Sequence, residues 1–216
     1  MIKIKVNGMP RQIPENWNEV TFKQFVGLIE AKSEPSLVIP ILLDMSPQDI
    51  AGKRIEGLEW VIEKTQFLRN VPAIDEIPLK LGDYSFPKDV GFETIEQFEA
   101  VKQEIQRLAS TKNLVEQTKA LAYYAAVYLQ GQEGFDNDKA RALAEKFMSY
   151  PCLEVMAAGS FFQAKCLKLT TGLSMTYLRQ NTLLKKKRPG LNRLMRRLVS
   201  TLHWIVSPAM WVRTTK

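Results

Sequence analysis

The motif Thr-x-x-Gln-Phe occurs twice in this chain, as Thr21-Phe22-Lys23-Gln24-Phe25 and as Thr94-Ile95-Glu96-Gln97-Phe98, with an offset of 73 residues. Threonine three residues ahead of glutamine can close a capping box. The hydroxyl accepts from the backbone N–H three positions on, and the glutamine reaches back to the threonine N–H. Each copy therefore predicts the first turn of a helix. Phe22, Phe25, Val26 and Ile29 then follow the first cap at helical spacing.

What precedes each cap also repeats. Ile2, Ile4 and Val6 alternate with lysines, Asn7-Gly8 is a strong hairpin turn, and Arg11-Gln12-Ile13 can return before Pro14. The second copy runs from Ile77 to Asp83 and closes through Tyr84-Ser85-Phe86 to Pro87, at the same offset as Pro14. Downstream, the apolar run Leu37–Leu43 parallels Leu121–Val127. Each is followed by a new cap, at Ser46-Pro47-Gln48-Asp49 and at Phe135-Asp136-Asn137-Asp138.

The pattern predicts a mainly α protein with two short hairpins, one in each copy of a duplicated unit. The first copy covers residues 1–70 and the second 76–166. The spacing predicts helices over 21–32, 36–44, 47–54, 55–69, 94–109, 112–130, 136–149, 151–171 and 190–206. An alanine-rich stripe in 112–130 suits close helix packing, with Phe161 and Phe162 facing it. Residues 183–190 read as a charged linker, and 180–216 as a basic tail ending the helical bundle.

Charge divides the chain unevenly. Residues 1–154 hold 18 Lys and Arg and all 23 Asp and Glu, whereas residues 155–216 hold 12 Lys and Arg and no acid. An acidic body with a basic end points to binding other macromolecules. No run of about 20 apolar residues suggests a membrane span. The alternating start predicts a strand in place of a secretory leader, so an intracellular setting is expected.

Groups that carry chemistry are sparse. Cys152 and Cys166 are fourteen residues apart and read as buried thiols. The one histidine, His203, has no partner set for zinc. Lys187-Arg188-Pro189-Gly190 lacks the strand and spacing of a phosphate loop, and Gly159-Ser160 lacks the flanking glycine of a nucleophile elbow. The closest paired carboxylates are Glu59 with Glu63 and Asp136 with Asp138, placed where exposed helix faces and helix starts carry acids. Asp136-Asn137-Asp138 lacks the glycine and distal glutamate of a calcium loop. The expectation is a protein without catalysis, cofactor or metal.

The tail carries the candidate binding residues. Leu191, Leu194, Met195, Leu198, Val199, Leu202, Ile205 and Val206 form one apolar ladder at helical spacing. Lys185, Lys186, Lys187, Arg188, Arg193, Arg196, Arg197 and Trp204 supply the cationic and aromatic contacts. Three occupants fit such a segment. It can dock on an acidic partner protein or on its own acidic body, touch nucleic acid phosphates, or lie on an anionic membrane surface. The apolar ladder favours protein, because phosphate binding alone does not require it.

Several stretches resemble tail-assembly proteins of long-tailed bacteriophages and prophages. They are Pro14–Phe25, Ile41–Ile50, Leu58–Leu68, and Ala140–Phe162 with its Glu145-Lys146-Phe147, Tyr150-Pro151 and Phe161-Phe162. The resemblance covers roughly 14–165 and leaves the tail from about 180 outside the family pattern. It implies a tail assembly chaperone that holds a long tape-measure protein, or another virion protein, in the host cytoplasm. It brings no catalytic residues. A structural role in the virion or a head–tail connector, DNA contact through the tail, and self-association remain open beside it. For the groove of such a chaperone the aromatic candidates are Trp17, Phe22, Phe25, Trp60, Phe67, Tyr123, Tyr124, Phe161 and Phe162, with core packing as the competing role.

Overall fold

A computed structural model describes residues 1–31, 34–56, 58–70, 80–85, 94–111, 113–130 and 134–170. The described residues are mainly helical, with two short antiparallel hairpins. The expected linker at 183–190 and basic helix at 190–206 lie outside them, as does Pro87. The described residues divide into two compact units, with the boundary in sequence between residues 73 and 74.

In the first unit, β1 (Ile2–Val6) pairs with β2 (Met9–Ile13), Ile2 facing Ile13 and Val6 facing Met9. Asn7 (φ 52°) and Gly8 (φ 80°) are both left-handed, which is the turn that matches strand twist in a two-residue hairpin. Ile2, Ile4 and Val6 are buried and the lysines between them exposed. Pro10 stands opposite Lys5, at a position whose N–H would face away from β1. Lacking that N–H, it removes a donor from the open edge and discourages pairing there.

The chain then makes a 3-10 turn at Trp17–Glu19, followed by α1 (Phe22–Glu30), α2 (Pro35–Leu42) and α3 (Pro47–Ile50). Two expected boundaries differ. The helix expected over 47–54 stops at Ile50, because Gly52 turns left-handed (φ 72°). The helix expected from 55 begins only at Leu58. Ile55–Glu56 instead form β3 on the free side of β1, Val6 facing Ile55, and the Asn7 N–H bonds Arg54 O at 2.9 Å. The unpaired edge of β1 overrides the helical pattern there. Helix α4 (Leu58–Lys64) runs into a 3-10 turn at Thr65–Arg69. Trp17 closes the unit. Its indole N–H donates to Phe67 O and Asn70 O (3.1 and 2.7 Å), and its ring meets Phe25 and Phe67 edge-on.

In the second unit, β4 (Lys80–Leu81) and β5 (Tyr84–Ser85) form the smaller hairpin. Four helices follow: α5 (Ile95–Ala109), α6 (Leu114–Leu129), α7 (Asn137–Phe147) and α8 (Cys152–Thr170). Helix α6 is the centre, buried at every residue from Ala120 to Leu129 and packed by α5, α7 and α8. The expected close approach occurs against α8. A Cβ placed on Gly159 would stand 2.2 Å from Leu121 O, so only glycine permits this crossing. Further along, Phe162 stacks on Tyr128 with ring centroids 4.3 Å apart, and Phe161 meets Phe162 edge-on.

Both capping boxes form, and both do more than cap. Thr21 Oγ1 accepts from the Gln24 N–H (3.2 Å) and Gln24 Oε1 from the Thr21 N–H (3.0 Å). The second box has the same geometry, at 3.2 and 3.1 Å. Each glutamine is buried, 5% exposed for Gln24 and 3% for Gln97. The Gln24 amide donates to Leu42 O and the Gln97 amide to Val127 O, both at 2.9 Å. Those carbonyls lie in the last turns of α2 and α6, where no intrahelical N–H is supplied. One side chain thus joins the start of one helix to the end of the next in each unit.

Replacing Gln97 by leucine keeps the size but leaves Val127 O and the Thr94 N–H without that partner. The expected loss is about 2 kcal/mol or more, read by urea denaturation of the full chain. Gly159→Ala should destabilise by about 1–3 kcal/mol in the same measurement, whereas Gly8→Asn, in an open turn, should cost less than about 1 kcal/mol.

A candidate partner-binding cleft

Helix α5 turns Glu96, Glu99, Ala100, Gln103, Glu104 and Arg107 towards one side. Their spacing of three and four residues places them along one face of the helix. Across from them stand Asn137 and Arg141 of α7, with Tyr123 of α6 between and Phe135 in the segment leading into α7. Together they line an open cleft of about 580 Å³ within the second unit. Ile95, at the start of the same α5, is 80% exposed.

Most of the polar groups of the cleft are already engaged. Arg107 grips Glu104 through two N–H donors, Nη2 at 2.7 Å and Nε at 2.9 Å, and reaches Glu116 at 3.4 Å. That fork holds the Glu104 carboxyl below its ordinary value, against the opposing effect of burial. The Tyr123 hydroxyl donates to Asn137 Oδ1 at 2.7 Å, and the Arg141 guanidinium lies over the Tyr123 ring, 5.3 Å from its centroid. Burial pushes the Tyr123 phenol upward, so it stays protonated at neutral pH. Glu99 pairs with Lys102 at 2.9 Å on its own helix. The result is a prearranged surface of ionised carboxylates, guanidiniums and one aromatic ring, suited to the side chains of another chain.

The residues singled out in the sequence fall in different places. Lys185, Lys186, Lys187, Arg188, Arg193, Arg196, Arg197 and Trp204 all lie outside the described residues. Of the aromatic groove candidates, Trp17, Phe22, Phe25, Tyr123, Tyr124 and Phe162 are buried, while Phe67 and Phe161 are half-buried. Only Tyr123 also lines the cleft. Trp60 is 44% exposed beside the exposed Leu58 on α4. Glu96, Glu99, Gln103, Glu104, Arg107, Asn137 and Arg141 were not anticipated. Their one signal was an α5 face without large apolar side chains.

Asp136 is the N-cap of α7, accepting from the N–H groups of Asp138 and Lys139 at 2.9 and 3.1 Å, and these bonds lower its carboxyl. Glu59 and Glu63 are exposed on α4. Ser160 is buried in the middle of α8. Cys152 and Cys166 are free and buried, and Cys166 Sγ points at Phe98 O, 4.0 Å away. Among the described residues no three His, Cys, Asp or Glu side chains cluster as metal ligands, and no helix is long and apolar enough to cross a membrane. No family model, curated protein or solved structure matches this chain.

Burial pushes the Cys152 thiol up to about 12 from its ordinary 9.0. The unfolded chain therefore releases this proton first. The thiol's contribution to stability is complete below pH 9 and is lost as pH rises towards 12. Denaturation of the wild type and Cys152→Ser at pH 8 and pH 10.5 should show the wild type losing about 2 kcal/mol more over that interval.

Proposed function

We propose that this chain is a non-enzymatic assembly factor of a long-tailed bacteriophage or prophage, a tail assembly chaperone that binds a long helical protein of the tape-measure kind. The observation that carries the reading is the cleft along α5. From Glu96 to Arg107 the lining face runs three turns, about 17 Å, the contact length of one amphipathic helix laid alongside. The Glu104–Arg107 pair and the Arg141–Tyr123 contact are in place before a partner arrives, which lowers the ordering cost of association. The resemblance over 14–165 takes in both compact units and supports the same reading.

In this reading the chain acts in the host cytoplasm. Binding is driven by apolar burial at Ile95 and Phe135, at about 25 cal/mol per Å². Carboxylates and guanidiniums at the rim then select the register of the bound helix.

A second reading has its own observation. The concentration of cations from Arg179 onward, with no acid among them, favours phosphate contact and a structural place in the virion near DNA. The two differ in where the protein ends up. Mass spectrometry of purified particles finds the chain in stoichiometric amount if it is a virion component, and finds it absent if it is a chaperone.

Co-expression with a long helical protein of the tape-measure kind should raise that protein's soluble yield. The double variant Glu99→Lys/Arg141→Glu should keep the fold, read by circular dichroism, and weaken the complex at least tenfold, about 1.4 kcal/mol, by calorimetry. Unchanged solubility of the partner, or unchanged affinity of the variant, overturns the reading.

A further inference from the structure

The lining positions of α5 are symmetric about the middle of that helix. Glu96 and Arg107, Glu99 and Glu104, and Ala100 and Gln103 lie at equal distances from the midpoint between Val101 and Lys102. Charge along the same face is not symmetric. The acids Glu96 and Glu99 stand at its start and Arg107 at its end. Arg141 joins the basic end, because its charge helps to lower the Glu104 carboxyl while its guanidinium rests on Tyr123. Among the described residues neither Glu96 nor Arg141 is held in an ion pair. Both are exposed, as are Gln103 and Arg107.

A face that is acidic at one end and basic at the other, with matched spacing about its centre, complements itself when turned end for end. Two copies of α5 laid antiparallel about that midpoint bring Glu96 of each copy to the level of Arg107 of the other. Glu99 comes to the level of Glu104, where Arg141 on the far wall of the cleft supplies the cation. Ala100 falls opposite Gln103, so a small side chain at the crossing lets the two helices approach. A parallel arrangement sets Glu96 against Glu96 and Arg107 against Arg107, with repulsion at both ends.

We infer that a second copy of this chain occupies the cleft, in a two-fold dimer whose α5 helices pair antiparallel. Each copy offers its own cleft and fills the other's, which closes the assembly at two. Three turns of helix make a small contact by the standard of protein interfaces, so the dimer forms at about 10–100 μM chain. Its attraction is largely between exposed charges and is screened at high salt. The inference rests on the cleft and on the order of charges along it, and stands whether or not the phage reading holds. Where that reading does hold, a partner helix and the second copy compete for one site.

Sedimentation equilibrium of the full chain should show monomer and dimer in exchange at about 10–100 μM, and a monomer throughout that range overturns the proposal. Glu99→Lys or Arg141→Glu alone puts two like-charge contacts into each dimer and should raise its Kd at least about tenfold. The double variant Glu99→Lys/Arg141→Glu exchanges the signs and should return the Kd to within about threefold of the wild type. Damage to the fold alone would not recover in this way, and a double variant no tighter than the single ones overturns the pairing. The register has its own readout. Chains carrying Glu96→Cys, mixed with chains carrying Arg107→Cys and mildly oxidised, should form disulfides between unlike chains. In the antiparallel register like positions stand about 16 Å apart along the helices, too far to bond. A dimer that yields no disulfide between unlike chains is joined by another surface and overturns the proposal. The double variant also separates the two readings. If it keeps the dimer and binds the tape-measure helix as tightly as the wild type, the chaperone reading fails alone. If it weakens the partner complex and does not recover the dimer, the self-pairing fails alone.

Discussion

A buried glutamine side chain holds each unit of this protein together. Gln24 and Gln97 each close a capping box and then donate the amide to a carbonyl in the last turn of the following apolar helix. The bond is made where both partners are shielded from water, so leaving either alone costs more than a surface bond would. It also fixes geometry. The start of α1 cannot drift from the end of α2 without exposing Leu42 O, and the start of α5 is tied to α6 through Val127 O in the same manner. Helix ends are the places where backbone groups lack partners, and here two such ends are joined by one residue.

In the second unit that tie orients everything else. With α5 held to α6 at Val127, α8 packs along α6 from Leu121 to Tyr128, and Gly159 lets the two backbones approach at Leu121. Tyr128 and Phe162 then stack where the helices have room for rings. Helix α7 packs against α6 from another side. The cleft is the space that remains between α5 and α7, with Tyr123 reaching into it from the central helix. Its existence follows from the packing of three helices around α6, and its chemistry from the polar faces those helices did not need for the core.

Much of the helical order was readable from local patterns. The caps at Thr21, Thr94, Ser46 and Asp136 each start a helix at the expected residue, because the cap is a contact within four residues. The Asn7-Gly8 turn is local in the same sense. What escaped depends on distant partners. The strand at Ile55–Glu56 has a helical surrounding pattern and becomes a strand only because β1 offers an open edge about fifty residues earlier. The outer amide bonds of Gln24 and Gln97 span 18 and 30 residues, and no spacing rule announces them. The cleft escaped for a further reason. Glu104, Arg107 and Arg141 look like ordinary surface charges in the sequence, and only packing of α5, α6 and α7 brings them together. The aromatic residues that drew attention as a groove were mostly core, since large rings are the side chains a helical bundle needs inside.

The placement of charge bears on what such a body can bind. An acid already bonded to a neighbouring guanidinium gains little from a second cation, because its field is partly cancelled and its lone pairs are used. Glu104, forked by Arg107, is of this kind. Glu96 and Glu99 stand at the start of α5, where the helix dipole favours negative charge, and Glu99 shares its Lys102 with the Phe98 ring. On the proposed reading, the unevenly compensated start of α5 is where a cationic group of a partner would settle. Recognition would then divide in two. The carboxylates at the start of α5 would set the sign of approach, and the fixed contacts around Tyr123 would set the register once an apolar surface has been covered.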